Sequence, residues 1–255
     1  MNHEMKNETP MLAVDGVTLQ YRTKSHLVTA VYRVSFNVQQ SDRFVILGPS
    51  GCGKSTLLKA VGGFVHPVEG SISLGGTPIH KPGRDRVFVF QEFDQLLPWK
   101  TVKENITFAL GTTERFSRSE ADERALHYIR KVNLAEFANS YPHTLSGGMK
   151  QRAAIARAMS LEPQVLLMDE PFAALDALTR SNMQEELLQL WDEMKFTMLF
   201  VTHSIPEAIR LGTRILLLSV RPGQVKAEIN SQGANAARIE QILFDRPIDE
   251  RGSHE

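Results

Sequence analysis

Short apolar segments alternate with helical patterns along most of this chain. Two early segments, MLAVDGVTL at 11–19 and VYRVSFNV at 31–38, partly alternate apolar and polar residues, as half-buried antiparallel strands do. From RFVILG at 43–48 onward the segments become continuously apolar, which is typical of buried parallel strands. The later segments are VFVFQ at 87–91, VLLMD at 165–169, TMLFVTH at 197–203 and ILLLS at 215–219. This alternation of strands and helices predicts an α/β fold with a mostly parallel sheet.

The middle third of the chain differs, because helical signals dominate from about residue 92 to residue 160. Ser117 and Glu120 have the spacing of a capping box, in which each side chain satisfies a free backbone donor at the start of a helix. We therefore expect a helix that continues through Ala125 and Ile129.

The domain organisation follows from these patterns. They predict one domain over residues 11–230, with a helical insertion at about 92–160. Residues 231–255 are expected to form a polar tail with one short helix around 236–244. The chain has 255 residues, which is enough for one large domain with a sizeable core.

Charge and cysteine content narrow the possible functions. The 29 basic and 29 acidic residues cancel, whereas a chain held to nucleic acid by phosphate contacts normally carries a basic excess, so no nucleic-acid partner is expected. Cys52 is the only cysteine, which excludes an intrachain disulfide and favours a reducing compartment. The apolar runs fall well short of the ~20 residues that cross a bilayer. If the protein works at a membrane, another subunit must supply the membrane spans.

The phosphate loop, GPSGCGKS at 48–55, follows a buried strand and precedes a helical pattern. Glycines let the backbone amides of such a loop surround phosphates, and the helix N-terminus adds favourable partial charge. We expect Lys54 to reach the β- and γ-phosphates and the Ser55 hydroxyl to bind Mg²⁺. The candidate nucleotide-binding residues in and after the loop are Gly48, Pro49, Ser50, Gly51, Cys52, Gly53, Lys54, Ser55 and Thr56.

Further candidate side chains follow predicted strands. Asp169 ends one strand, where its carboxylate can hold Mg²⁺, and Glu170 comes next, where it can polarise the attacking water. His203 ends another strand at the carboxyl edge of the sheet, where ligands of open α/β sheets bind, so a γ-phosphate contact is favoured over a structural role. Gln91 closes the VFVFQ segment and could contact the metal ion or the water.

LSGGMKQR at 145–152 stands between the phosphate loop and the Asp169–Glu170 pair. A phosphate loop, LSGG and an apolar strand ending in Asp-Glu, in this order, resemble the ATP-binding-cassette (ABC) ATPases, over roughly residues 11–223. The resemblance implies a P-loop (RecA-like) core with an antiparallel β subdomain, an inserted helical subdomain, and ATP and Mg²⁺ as ligands. It implies that Glu170, His203, Gln91 and Lys54 are catalytic, and that Ser55, Gln91 and Asp169 hold the metal ion.

The LSGG segment implies a dimer, because in ABC ATPases it completes the nucleotide site of a second copy. Ser146, Gly147 and Gly148 lie at the predicted start of a helix, which is an anion-binding end, and would reach a γ-phosphate held by the partner. Asp176 corresponds to the D-loop aspartate at the same interface. Taken alone, SGG fits an ordinary helix N-cap equally well.

Three other positions are compared with the family pattern. Tyr21 corresponds to the aromatic residue that stacks on adenine, although Tyr32 lies nearby and a core aromatic is an alternative. Met149 stands where many relatives have Gln, and Ser204 follows His203 where Asp is frequent. Neither departure removes a group that the chemistry requires.

FQEFDQLLPWKTVKENI at 90–106 narrows the resemblance. LLPW followed by a TV-x-EN helix start is similar to the ATPase subunits of bacterial nitrate, sulfonate and taurine importers, as is RPGQV at 221–225. This resemblance implies a peripheral subunit at the cytoplasmic face of the cell membrane, which powers anion import through separate permease subunits, with a solute-binding protein as an indirect partner. Leu96, Leu97, Pro98 and Trp99 are expected to present an apolar docking surface to a permease helix, and the alternative is that they pack internally.

Two other functions remain as alternatives. A soluble ABC ATPase acting on ribosomes, nucleic acid or iron–sulfur assembly would be supported by tandem cassettes, a long coiled coil or a basic surface, and the sequence has none of these. A small-molecule kinase would leave LSGG and His203 unexplained.

Overall fold

The computed structural model describes residues 9–22, 27–90, 95–113 and 115–244. The strands in these residues are β1 (Leu12–Arg22), β2 (Leu27–Val38), β3 (Arg43–Leu47), β4 (Glu69–Leu74), β5 (Thr77–Pro78), β6 (Arg86–Val89), β7 (Val165–Asp169), β8 (Thr197–Thr202), β9 (Arg214–Leu218) and β10 (Val225–Asn230). The helices are α1 (Lys54–Val61), α2 (Val102–Gly111), α3 (Arg118–Lys131), α4 (Gly147–Ser160), α5 (Ala177–Met194), α6 (Ile205–Leu211) and α7 (Ala236–Phe244), and 3-10 turns form at Ala135–Phe137 and Pro142–Thr144.

Two sheets organise these elements. A four-stranded antiparallel sheet has the order β2-β1-β4-β5, and a six-stranded sheet has the order β10-β9-β3-β8-β7-β6. In the larger sheet every pairing is parallel except that of β10 with β9. The seven predicted strands are present, and the α/β fold with a mostly parallel sheet is confirmed. Strands β4, β5 and β10 were not expected, because few of their residues are buried and their apolar pattern is weak.

The continuous apolar runs reflect burial on both faces of the larger sheet. On β3, Val45 packs into a core shared with the helical region, whereas Phe44 and Ile46 face a second core beneath the antiparallel sheet. On β8, Phe200 joins the first core and Val201 joins the second. Successive side chains of one strand point to opposite faces, so a strand covered on both sides needs no polar positions.

Helices α2, α3 and α4 lie between β6 and β7 in the chain and pack on one another. The predicted capping box at the start of α3 is confirmed, because the Ser117 amide donates to Glu120 Oε2 at 2.7 Å and the Glu120 amide donates to Ser117 Oγ at 3.3 Å. A second capping box, between Thr101 and Glu104, starts α2. Reciprocal caps of this kind satisfy backbone donors that the first helical turn leaves free.

The short helix expected at 236–244 is confirmed as α7, which packs against the large sheet. Ile239 is 0% exposed and Leu243 is 6% exposed, and both belong to the core shared with the helical region. Lys226 of β10 fixes the end of the helix, since its Nζ donates to the carbonyl oxygens of Ile242 at 2.9 Å and Leu243 at 2.7 Å. The expected polar tail therefore includes a helix that packs with the sheet through its apolar face.

None of the helices in the described ranges has the length and apolarity to cross a bilayer.

Candidate functional site

The phosphate loop connects the end of β3 to the start of α1. Gly53, the N-cap of α1, has a φ of +101°, and a Cβ built there would lie 2.6 Å from the carbonyl oxygen of Ala30. Only glycine meets both demands, because it adopts positive φ freely and allows a neighbouring backbone to approach. The loop is thereby seated against β2, with its concave side toward solvent.

Lys54 is held inside the phosphate loop. Its Nζ donates to the carbonyl oxygens of Gly48 at 2.8 Å and Pro49 at 3.0 Å, and the residue is 4% exposed. The two carbonyl oxygens compensate a buried ammonium group, which would otherwise be costly. The charge therefore lies at the centre of the loop, where phosphate oxygens would be bound.

Ser55 and Asp169 meet across the top of the large sheet. The Ser55 hydroxyl donates to Asp169 Oδ1 at 2.8 Å. Burial raises the pKa of Asp169, and the hydrogen bond from Ser55 acts in the opposite direction. A hydroxyl and a carboxylate are oxygen ligands that suit Mg²⁺, which usually keeps few protein ligands beside phosphates. In the described parts of the chain, no group of three or more His, Cys, Asp and Glu residues could hold a metal ion by itself.

Glu170 and His203 form a pair at the ends of neighbouring parallel strands. His203 Nδ1 lies 2.9 Å from Glu170 Oε2, and the two side chains are 54% and 18% exposed. The Glu170 backbone has a φ of +44°, a conformation that non-glycine residues seldom adopt and that costs about 1–3 kcal/mol. The Glu170 amide compensates in part by donating to the Val201 carbonyl at 3.1 Å.

One cavity of about 190 Å³ brings together Tyr21, Glu170 and much of the phosphate loop, whereas Asp169 and His203 are not among its lining residues. It is lined by Tyr21, Ala30, Ser50, Gly51, Gly53, Lys54, Ser55, Thr56, Glu170 and Arg221. Tyr21 is 40% exposed and therefore is not a core aromatic residue, and Tyr32 does not line this cavity. Cys52 is 1% exposed on the inner side of the loop, where burial raises the pKa of its thiol.

Arg221 is a lining residue that sequence reasoning missed. Its loop follows β9, and β9 pairs in parallel with β3, so both loops leave the same edge of the sheet. Gly223 fixes the Arg221 loop to β2 because its amide donates to the Ala30 carbonyl at 2.9 Å and its carbonyl accepts from the Tyr32 amide at 2.9 Å. The sequence does offer one signal for Arg221. It is a cation that comes just after a predicted strand, at the carboxyl edge of the sheet where ligands bind.

The start of α4 lies beside the start of α5. A Cβ built on Gly148 would lie 2.9 Å from Thr179 Cγ2, so the two helices approach closely there. Ser146 caps α4 by accepting from the Met149 amide at 3.3 Å, and Asp176 caps α5 by accepting from the Thr179 amide at 3.0 Å. Among the described residues, Ser146, Gly147, Gly148 and Asp176 do not line the 190 Å³ cavity.

Comparison with known proteins identifies the family. The profile described as "ABC transporter" matches residues 31–173. The chain belongs to the ABC transporter family. The taurine import ATP-binding protein TauB of Rhizobium johnstonii is 48% identical over 221 residues, which cover 86% of this chain and 84% of that protein. The nitrate import ATP-binding protein NrtD of Synechococcus elongatus is 42% identical over 240 residues, which cover 94% of this chain and 84% of that protein.

A solved structure agrees with this assignment. The dimeric ATP-binding cassette MJ0796 in a post-hydrolysis state, bound to ADP and Pi, superposes with a TM-score of 0.76 at 34% identity. The match covers 88% of this chain and 100% of that one. The ABC cassette described here is therefore an ATP-binding protein and an ATPase of the same fold.

In this ABC cassette helix α4, which follows the LSGG segment, is hydrogen-bonded to the residues after β6. The Gln95 side chain bonds to the backbone of Phe90: it accepts from the Phe90 amide at 3.1 Å and donates to the Phe90 carbonyl at 3.0 Å. From α4, Gln151 Nε2 donates to the same carbonyl at 3.4 Å, and Arg157 donates to the Gln95 carbonyl at 2.8 Å. Gln91 itself lies outside the described residues.

Only part of the predicted docking segment, residues 96–99, is exposed to solvent. Leu96 is 3% exposed and belongs to the core, so the expectation that it presents apolar surface is wrong. Trp99, in contrast, is 69% exposed, and Phe108 of α2 is 52% exposed. Buried Asn105 holds the segment in place, because its Oδ1 accepts from the Leu97 amide at 2.7 Å and its Nδ2 donates to three nearby carbonyl groups.

Proposed function

We propose that this ABC ATPase works as a pair of identical chains and powers the import of a small anion through separate permease subunits. The observation that carries the proposal is the separation of Ser146–Gly148 from the chain's own nucleotide cavity. A capped helix N-terminus with neighbouring amides is suited to an anion, and the cavity of the same chain does not use it. A second copy, arranged head to tail, supplies the phosphate that this end would bind.

In the proposed dimer each nucleotide is sandwiched between two copies. One copy contributes the phosphate loop with Lys54 and Ser55, and the other contributes Ser146 and Gly148, with Asp176 beside them. The dimeric state of the MJ0796 cassette supports this arrangement. ATP holds the pair together through its γ-phosphate, and loss of that phosphate on hydrolysis releases the pair. This differential contact with ATP and ADP is what can shift a permease between two states.

The chemistry of each site follows from the residues around the γ-phosphate. Lys54 neutralises phosphate charge, and Glu170 accepts a proton from the attacking water while His203 keeps the carboxylate in place. Ser55 and Asp169 would hold Mg²⁺, with Gln91 as a further candidate, and the ion would neutralise charge on the phosphate oxygens. Tyr21 offers its ring to the adenine base from the wall of the cavity.

The proposed permease contact includes two exposed aromatic side chains, Trp99 and Phe108. It borders a cavity of about 610 Å³ between α2 and α3, which Lys100, Phe108 and Phe116 help to line. Lys100 Nζ lies 5.3 Å from the Phe108 ring centroid and keeps a charge at the rim. An apolar patch with a polar rim beside a groove suits a short amphipathic helix, here one from the cytoplasmic side of a permease. Such docking would make the protein peripheral at that face of the membrane.

The solute class is proposed from the relatives. The most similar ones named above import taurine and nitrate, which are a sulfonate and an inorganic anion. We therefore propose a small organic or inorganic anion as the cargo of this system. A separate solute-binding protein would deliver it to the permease, since the ATPase subunit does not contact the solute.

The test is affinity capture from detergent-solubilised membranes of the native host, with tagged Glu170→Gln protein and ATP. We expect mass spectrometry to identify a multi-span permease in stoichiometric amount. Trp99→Arg in the same background should lose the permease yet still dimerise with ATP. Ribosomal or soluble assembly proteins in place of a permease would contradict the importer proposal and favour a soluble ABC ATPase.

A further inference from the structure

A closed set of hydrogen bonds surrounds the backbone of His203. The Ser204 amide donates to Thr202 Oγ1 at 3.0 Å, and the Glu207 amide donates to Ser204 Oγ at 3.4 Å. Thr202 Oγ1 in turn donates to Glu207 Oε2, which closes the ring. The residues on both sides of His203 are thus tied to Glu207, Thr202 through the carboxylate and Ser204 through the backbone amide, while the His203 imidazole contacts Glu170.

The other oxygen of that carboxylate binds a different helix. Gln184 Nε2 of α5 donates to Glu207 Oε1 at 2.9 Å, and Arg210 donates to Gln184 Oε1 at 3.3 Å, which fixes the amide orientation. Helix α5 is capped at its N-terminus by Asp176, the residue placed at the proposed dimer interface. Arg180 of the same helix donates to the Leu175 carbonyl at 2.7 Å, so α5 also fixes the segment before it.

Glu207 is 8% exposed, and a buried carboxylate is costly unless its oxygens are bonded. Burial raises the pKa of Glu207, and the hydrogen bonds from Thr202 and Gln184 oppose that shift. Both oxygens are therefore occupied by donors from two different elements, β8 and α5. Removing one partner would leave a buried polar atom unsatisfied, so the geometry of the network is strongly constrained.

We propose that Glu207 is the positioning residue for His203. It sets the end of β8 relative to α5, and thereby keeps the His203 imidazole at hydrogen-bonding distance from Glu170 when the nucleotide is bound. This inference rests on the proposed role of His203 in hydrolysis. Since α5 begins at the proposed interface, Glu207 also fixes His203 relative to the surface where a second copy would supply Ser146.

The network predicts a specific pattern of loss and rescue. In Glu207→Gln one of the two contacts is lost in either orientation of the new amide. Either its nitrogen faces the amide nitrogen of Gln184, or it faces Thr202 and the Thr202 hydroxyl proton loses its acceptor. We expect turnover to fall roughly 10- to 100-fold, since an error of about 1 Å in a catalytic contact can cost 10²-fold. ATP affinity should not change, because Glu207 is not among the residues that line the nucleotide cavity.

The exchanged pair, Gln184→Glu with Glu207→Gln, restores a donor facing an acceptor. In this double variant the carboxylate at position 184 accepts from the amide nitrogen at position 207 and from Arg210. The amide oxygen at position 207 accepts from the Thr202 hydroxyl. We expect the double variant to regain most of the wild-type turnover. Thr202→Val, which removes only the hydroxyl at nearly constant volume, should lose turnover with ATP affinity unchanged, and it decides the matter if the exchanged pair does not fold.

The test compares each variant with wild type and with His203→Ala as the reference. It measures steady-state ATP hydrolysis, ATP affinity by titration and thermal melting. Wild-type turnover in Glu207→Gln or in Thr202→Val, beside a low value in His203→Ala, would overturn this inference alone. A folded double variant as slow as Glu207→Gln would also overturn it. Wild-type turnover in His203→Ala would instead remove the proposed role of His203, and this inference with it.

Discussion

His203 Nδ1 lies 2.9 Å from Glu170 Oε2, although 33 residues separate them in the chain. The contact exists because β7 and β8 are adjacent parallel strands, so the residues that follow them emerge at the same edge of the sheet. Ser55 reaches the same edge from β3 by way of the phosphate loop and bonds to Asp169, which ends β7. The residues proposed to bind phosphate, hold the metal ion and accept the proton therefore lie at one edge of the large sheet.

Glu170→Gln should bind ATP normally and lose hydrolysis. Gln preserves the size of the side chain but is a far weaker base, and general-base catalysis contributes about 10²–10⁴-fold. The phosphate loop is unchanged, so ATP affinity measured by titration should stay at the wild-type value. Glu136→Gln, the same change at an exposed position, is the control and should hydrolyse ATP normally. Full steady-state hydrolysis by Glu170→Gln would contradict the assignment.

Ser146→Arg should bind nucleotide and fail to dimerise. Arginine at the exposed start of α4 adds bulk where the proposed partner must approach, whereas the chain's own cavity does not include Ser146. In the Glu170→Gln background, which should retain ATP, gel filtration would then give a monomer. Ser119→Arg, on the exposed first turn of α3, is the matched control and should give a dimer. An ATP-dependent dimer of the Ser146→Arg protein would exclude the proposed sandwich.

Arg221→Ala should weaken ATP binding about ten-fold, equivalent to about 1.4 kcal/mol, which is the lower range for a hydrogen bond to a charged group. Arg221 lines the 190 Å³ cavity from a loop hydrogen-bonded to β2, so it adds a positive charge near the phosphate loop. Arg238→Ala, which removes the same charge from the exposed face of α7, should leave affinity unchanged. Equal affinities in the two variants, by calorimetry, would show that Arg221 does not contact the nucleotide.

The residues that could be predicted from the sequence are those whose position follows from strand order along the chain. Lys54, Glu170 and His203 each follow a strongly apolar segment, so their places at the sheet edge could be inferred. Arg221 also follows an apolar segment, ILLLS, but its place beside the phosphate loop depends on the pairing of β9 with β3, which is a long-range property. Leu96 shows the opposite error. LLPW looks uniformly apolar, and only packing in the fold shows that Leu96 is buried whereas Trp99 is exposed.

The role of α7 gives the last prediction. Ile239 lies four residues before Leu243 on one helical face, and both are buried in the core, whereas Phe244 is 67% exposed. Ile239→Ala should therefore lower the free energy of unfolding by about 2–5 kcal/mol, which combines lost burial with the cavity left behind. Phe244→Ala removes a larger side chain from the same helix, yet should change stability by less than ~0.5 kcal/mol, as exposed substitutions usually do.

Urea unfolding followed by circular dichroism distinguishes a packed helix from a detachable one. If α7 unfolds together with the sheet, Ile239→Ala lowers the urea midpoint and leaves the slope of the transition unchanged, since the same surface is exposed on unfolding. If α7 detaches at low urea, the midpoint stays at the wild-type value and a separate early transition appears. The second result would contradict the contribution of α7 to the core, whereas the first would make residues 236–244 a necessary part of the folded cassette.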